Sequence, residues 1–94
     1  MDIRYYVDAD SGLPHIYNHG VSEADVEYVL SHAMEDRPGR DGSRIALGQS
    51  ADGRYVRIVY VPDDDGAGAF IVTAYQLAGK PLKAFRRRQR RRGT

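Results

Sequence analysis

The sequence predicts an α+β domain: an antiparallel sheet of three to four strands, packed by one main helix and followed by a basic C-terminal helix or tail. Three observations carry this. Residues 22–36 hold a single long amphipathic pattern with a helix-start signature. Residues 44–75 read as successive short strands separated by turn residues. The last residues turn abruptly to arginine.

Residues 3–7 are β-branched and aromatic, and Asp8-Ala9-Asp10-Ser11-Gly12 follows them, so a first strand and a turn are expected. Residues 13–20 allow one or two helical turns, with Pro14 near the start and Gly20 as the cap. Ser22 with Asp25 resembles a capping box, and Val21 with Val26 a hydrophobic staple. Val26, Val29, Leu30, Ala33 and Met34 form one apolar stripe, which Pro38-Gly39 must end; the helix expected is 22–36. Residues 44–49, 55–61 and 70–75 read as strands, with Asp52-Gly53 favouring a tight turn between the first two. Strict alternation would put Ile71, Thr73 and Tyr75 on one face of the last strand, and Phe70, Val72 and Ala74 on the other. Connections this short join strands antiparallel, and the 22–36 helix is the cover available for one sheet face. Residues 1–79 form the domain, and 80–94 the arm. Leu82 and Phe85 could dock one side of the arm, leaving 86–92 exposed.

The charges are not evenly spread. The chain has 14 Lys+Arg against 13 Asp+Glu over 94 residues, a net +1. Residues 1–75 hold six of the basic and all thirteen acidic residues (6 − 13 = −7), and residues 76–94 hold eight basic residues and no acid, which is +8. Such asymmetry suggests a polyanionic partner. Lys83, Arg86, Arg87, Arg88, Arg90, Arg91 and Arg92 are therefore candidate phosphate contacts, together with Arg44 on the body. The same arm could instead fold back on the acidic body or meet a membrane surface. With no cysteine, a disulfide scaffold, a thiol nucleophile and a cysteine-based zinc site are excluded. No apolar run reaches the roughly 18 residues of a membrane span, and no secretory signal is legible at the N-terminus, so a cytoplasmic protein without membrane contact is expected.

Few residues invite chemistry. His15 and His19 are spaced i, i+4 and could share a metal, but no third ligand is apparent and a structural or capping role is the expectation; no metal and no cofactor are expected. His32 should be exposed. Asp63-Asp64-Asp65-Gly66 lacks the Glu a calcium loop needs at its twelfth position, which is Ala74. Arg57 interrupts an apolar strand, so it must reach an edge, pair with an acid or line a groove. With Arg44, Arg54, Tyr60 and Tyr75 it could give a sheet surface that pairs phosphates and stacks bases.

His19-Gly20-Val21-Ser22, an amphipathic helix, Arg44-Ile45-Ala46-Leu47-Gly48, Gly53-Arg54 and a final strand Ile71-Val72-Thr73-Ala74-Tyr75 stand in a familiar order. Over residues 15–92 this resembles the BrnT toxins and the little-characterised domain families close to them, which share a RelE-like fold. Asn18 stands where those chains usually have Lys, Tyr75 where they usually have Arg, and the tail is richer in Arg. The resemblance implies a β-α-β-β-β fold with a terminal helix. It also implies a toxin of a type II toxin–antitoxin system that cleaves RNA, including ribosome-bound message, without a metal and is neutralised by a cognate antitoxin. Arg57 or Arg54 would stabilise phosphorane charge. Tyr75, Tyr60 or His19 would move protons, and the arginine arm would hold the RNA. Two other readings fit the same residues: a nucleic-acid-binding module without catalysis, and a protein-interaction module whose arm docks an acidic partner.

Overall fold

The computed structural model describes residues 2–93. Five strands form one sheet in the order β1-β5-β4-β3-β2, with helices on both faces. The strands are β1 (Asp2–Tyr5), β2 (Glu35–Pro38), β3 (Arg44–Gln49), β4 (Tyr55–Pro62) and β5 (Gly68–Gln76); the helices are α1 (Glu23–Ser31) and α2 (Gly79–Arg92), with a 3-10 helix at His15–His19 before α1. The α+β class holds, and β3, β4 and β5 form the expected antiparallel meander.

Two expectations about the sheet are corrected. It has five strands, and it is mixed, because β1 pairs parallel to β5 from Asp2↔Gly68 to Tyr5↔Ile71. The fifth strand comes from the end of the expected 22–36 helix. Ser22 caps α1 with the full reciprocal box to Asp25, but the helix stops at Ser31, with His32 as its C-cap. Beyond it, Met34 N–H donates to Leu47 O at 2.8 Å and β2 pairs antiparallel with β3. A helix continued through Met34 would have left the β3 edge unpaired. Four ladder positions and the ion pairs of Glu35 outweigh one more turn of apolar stripe. Ala33 and Met34, the last two residues of that stripe, are exposed.

Val26 and Val29 of α1 and Ile16 of the 3-10 helix pack on Ala46, Val56, Ile58, Tyr60, Ile71 and Ala74. Ile71 and Ala74 share this core although they are three apart. A β-bulge lets Val59 pair with Thr73 while Tyr60 pairs with Ile71, so Val72 is an extra residue that inverts the alternation. The expected faces of β5 are therefore corrected: Thr73 and Tyr75 lie opposite Ile71. On the other sheet face Leu47, Leu77 and Phe85 form a second core, with Ile45, Tyr55 and Leu82 against it. Phe85 is 1% exposed, so α2 is a docked helix rather than a loose tail. Gly68 allows β1 to approach β5, since a Cβ there would run into Asp2 O and the Asp63 carboxylate. Gly20 ends the 3-10 helix at φ +71, as its capping role requires.

Candidate functional site

Strand register brings the central groups together. Glu35, Leu47, Arg57 and Tyr75 are successive cross-strand partners and form one row across β2, β3, β4 and β5 on the α2 face. Phe85 covers Leu47, and Arg57 and Tyr75 remain half-buried beside it. Arg57 lies on a central strand and pairs with no acid among the described residues. Its Nη1 donates to Tyr75 Oη at 2.7 Å, and its guanidinium lies 5.7 Å from the Tyr75 ring centre. Its Nε is buried with no hydrogen-bond partner among the described residues. A buried donor left unmade costs roughly 1–3 kcal/mol, so this cation is held in place without being fully satisfied. Because Tyr75 Oη accepts from Arg57, its own hydrogen is free to donate outward.

The 3-10 helix adds two histidines at the same end of β5. β1 stops pairing at Tyr5, and the chain then folds back so that Tyr6 O accepts from His15 N–H and residues 15–19 pack beside β5. The His19 ring meets the Tyr75 ring edge-on at 6.1 Å. His15 Nε2 lies 3.3 Å from His19 Nε2, and the rings are 5.1 Å apart. His15 Nδ1 donates to Asp8 Oδ1 at 3.0 Å, while Asn18 Nδ2 donates to Asp8 Oδ2 at 2.6 Å. Asp8, His15, His19, Tyr75 and Arg57 thus form a continuous series of polar groups. Sequence reasoning gives His15 a structural role and gives Asp8 none, because the loop that joins them to β5 is visible only in three dimensions.

The other candidates sit elsewhere. Arg54 is a brace: its Nε bonds Asp52, its Nη1 the Gly20 carbonyl at 2.8 Å, and its Nη2 Asp25 at 2.6 Å. This ties the β3–β4 turn to the start of α1. Burial alone would raise the Asp25 carboxyl, but hydrogen bonds from Ser22 and Arg54 together hold it below the usual carboxylate range. Arg44 lies on the α1 side of the sheet, paired with Asp36 at 2.8 Å. Tyr60 joins that pair by donating to Asp36 Oδ2, and burial with this bond pushes it up to about 12. Tyr60 is therefore a fixed neutral donor, remote from the Arg57 face. His32 is exposed and bonds the Tyr28 carbonyl.

The arm divides into two sets. Arg88 grips Glu35 with two bonds at 2.8 and 2.9 Å, and Arg92 Nη1 donates to Met34 O at 3.1 Å. These residues clamp α2 onto β2; the end of the arm is helical and mostly exposed, as expected, but Arg88 and Gln89 are half-buried against Glu35. Arg91 lines the same cleft between β2 and α2, of about 540 Å³. Lys83, Arg86, Arg87 and Arg90 crowd the solvent side of α2, where Arg86 lies over the Tyr55 ring at 5.4 Å. Among the described residues no group of three or more histidine, cysteine or carboxylate side chains could hold a metal ion. None of the helices there is long and apolar enough to cross a membrane.

The architecture is thus a small mixed sheet between two helices, with an Arg–Tyr–His group on the sheet surface. The chain belongs to the family described as domain of unknown function (DUF4258), whose model matches residues 15–76. That span runs from the 3-10 helix to the end of β5, taking in His15, His19, Arg57 and Tyr75 and leaving out Asp8 and α2. No curated protein and no solved structure matches the chain.

Proposed function

We propose that this domain is a RelE-like ribonuclease of the BrnT-related kind, the toxin half of a toxin–antitoxin pair. The observation that carries the reading is the Arg57–Tyr75 pair beside His19 on a half-buried strip of sheet. Val59 and Thr73 continue that strip as half-buried neighbours. Cleavage of RNA needs three things: a base for the 2′-OH, positive charge on the non-bridging phosphate oxygens, and a proton for the departing 5′-oxygen. His19 removes the 2′-OH proton, imidazole being the side chain best matched to proton transfer at pH 7. Arg57, immobilised by Tyr75, meets the charge that builds on the phosphorus oxygens. Tyr75 uses its outward hydrogen on the leaving oxygen. O2′–P forms as P–O5′ breaks, giving a 2′,3′-cyclic phosphate and a 5′-OH; no metal takes part. The cations on the solvent side of α2 hold flanking phosphates, and a cognate acidic antitoxin would cover the same surfaces.

Purified protein is incubated with messenger RNA, alone and on ribosomes, and the ends are mapped. Cleavage with cyclic phosphate ends is expected, falling about 100-fold in Arg57→Lys, which keeps the charge but loses the planar fork. RNA left intact under both conditions overturns the reading. Binding that survives Arg57→Lys and Tyr75→Phe but vanishes when Lys83, Arg86, Arg87 and Arg90 become Gln would instead assign a non-catalytic RNA-binding module. That reading draws on the four cations grouped on the outer side of α2.

A further inference from the structure

We infer that His15 and His19 form a two-imidazole site for a divalent late transition metal ion, with Asp8 as its anchoring carboxylate. The geometry of the 3-10 helix carries this independently of the ribonuclease reading.

The Asp8 carboxylate only accepts, so His15 Nδ1 carries the hydrogen of their 3.0 Å bond. In the neutral ring this leaves a lone pair on His15 Nε2. That lone pair points into the space shared with His19 Nε2, 3.3 Å away. Neutral His19 has one N–H to place. With it on Nε2 the ring donates to His15 across 3.3 Å; with it on Nδ1 a second lone pair enters the same space, and a cation between the rings would favour that tautomer.

The distances fit such a cation. The ring centres are 5.1 Å apart and the nitrogens 3.3 Å, so the two rings lean towards a common point instead of lying side by side. An ion at the usual ~2.0–2.1 Å Zn–N distance from both nitrogens would see them roughly 107° apart, close to a tetrahedral angle.

The surroundings repeat the pattern of built metal sites. A ligating histidine usually gives its other N–H to a carboxylate, which fixes the ring and strengthens it as a ligand. Asp8 does this for His15 and is itself held by Asn18 Nδ2 at 2.6 Å. The Tyr6 ring packs edge-on against His15 at 6.0 Å and limits its rotation. His19 is exposed, so an ion has a path in and keeps open positions for water or an anionic ligand. Imidazole pairs select zinc, nickel and copper over magnesium and calcium, which prefer oxygen. The ion would occupy the same imidazole that the ribonuclease reading uses as its base, so loaded protein should be inhibited in any cleavage it performs.

The test is calorimetric titration of chelator-stripped protein with Zn²⁺ and, separately, Ni²⁺, read as binding and not as activity. One equivalent should bind. His19→Ala, at an exposed position, should weaken binding at least tenfold, and so should His15→Ala. Asp8→Asn should weaken it about 10–100-fold by leaving the His15 ring unanchored, and His32→Ala should leave it unchanged. Mg²⁺ at the same concentrations should give no saturable signal. If His15→Ala fails to fold by circular dichroism, His19→Ala decides the matter. Absence of saturable binding by the wild type, or equal affinity in His19→Ala, overturns the assignment, and neither result bears on RNA cleavage.

Discussion

Removing the Glu35 carboxylate should loosen α2 and make the arm resemble the free basic tail that its composition suggests. Glu35 receives Arg88 at 2.8 and 2.9 Å, Gln89 at 3.2 Å and Arg37 at 3.1 Å. Its side chain is 10% exposed while that of Arg88 is 39% exposed. An exposed ion pair would contribute no more than about 1 kcal/mol, and a buried hydrogen bond to a charge roughly 1.5–3 kcal/mol. This pair lies between, because the acid is enclosed and its cations can rehydrate. Glu35→Ala should cost about 2 kcal/mol, a fall of roughly 8–16 °C in melting temperature for a domain of this size. The bonds from Arg88, outweighing burial, hold the Glu35 carboxyl below its ordinary value. A depressed folded-state value means stability that is present above the unfolded value of 4.5 and lost as pH falls through the folded one. The wild type should therefore lose this contribution below pH 4.5, and Glu35→Gln should show less of that acid-side loss. Thermal melts from about pH 3 to 7 on Glu35→Ala, Arg88→Ala and the double variant measure both. A coupling energy near zero in that cycle, or a Glu35→Ala melt within a degree or two of wild type at neutral pH, would refute the reasoning.

Three further perturbations have definite expected outcomes. Phe85→Ala should cost about 3–5 kcal/mol, because it removes the central side chain of the second core; denaturant unfolding checks this. Gly68→Ala should destabilise by roughly 1–3 kcal/mol, since its Cβ meets the β1 backbone and the Asp63 carboxylate that pairs with Arg4. Diminished amide protection confined to β1 would locate the damage. Changing Lys83, Arg86, Arg87 and Arg90 to Gln should cost no more than about 1 kcal/mol, mostly the Arg86–Tyr55 contact, a fall of roughly 4–8 °C at most. It should also flatten the salt dependence of RNA binding by roughly 0.7 for each phosphate no longer neutralised, measured by fluorescence titration.

Local signals are legible where a residue's role is settled by its near neighbours. Ser22 and Asp25 announce the start of α1, Gly20 the cap before it, and Leu82 with Phe85 the docking stripe of α2. The apolar stripe through Met34 misleads, because a pattern can be right about burial for one turn and then yield to a strand that satisfies a sheet edge. The bulge at Val72 is illegible for a similar reason: register is set by pairing with β4 and not by alternation within β5. Of the candidate site, Arg57 and Tyr75 can be picked out as polar interruptions, but only pairing between β4 and β5 makes them partners.

The sequence by itself determined the α+β class, the capped helix, the three-stranded meander and the separation of a −7 body from a +8 arm, all of which follow from composition and short-range pattern. The tertiary structure alone decided how that arm is used. Glu35 is 53 residues from Arg88 in the chain, and Asp8 reaches His15 only because β1 ends early and turns back along β5. Ion pairs and hydrogen bonds act over a few ångströms of space whatever the distance in sequence. The net +1 therefore resolves into clamped arginines that hold a helix, outward cations on its solvent side, and an incompletely satisfied arginine at the centre of the sheet.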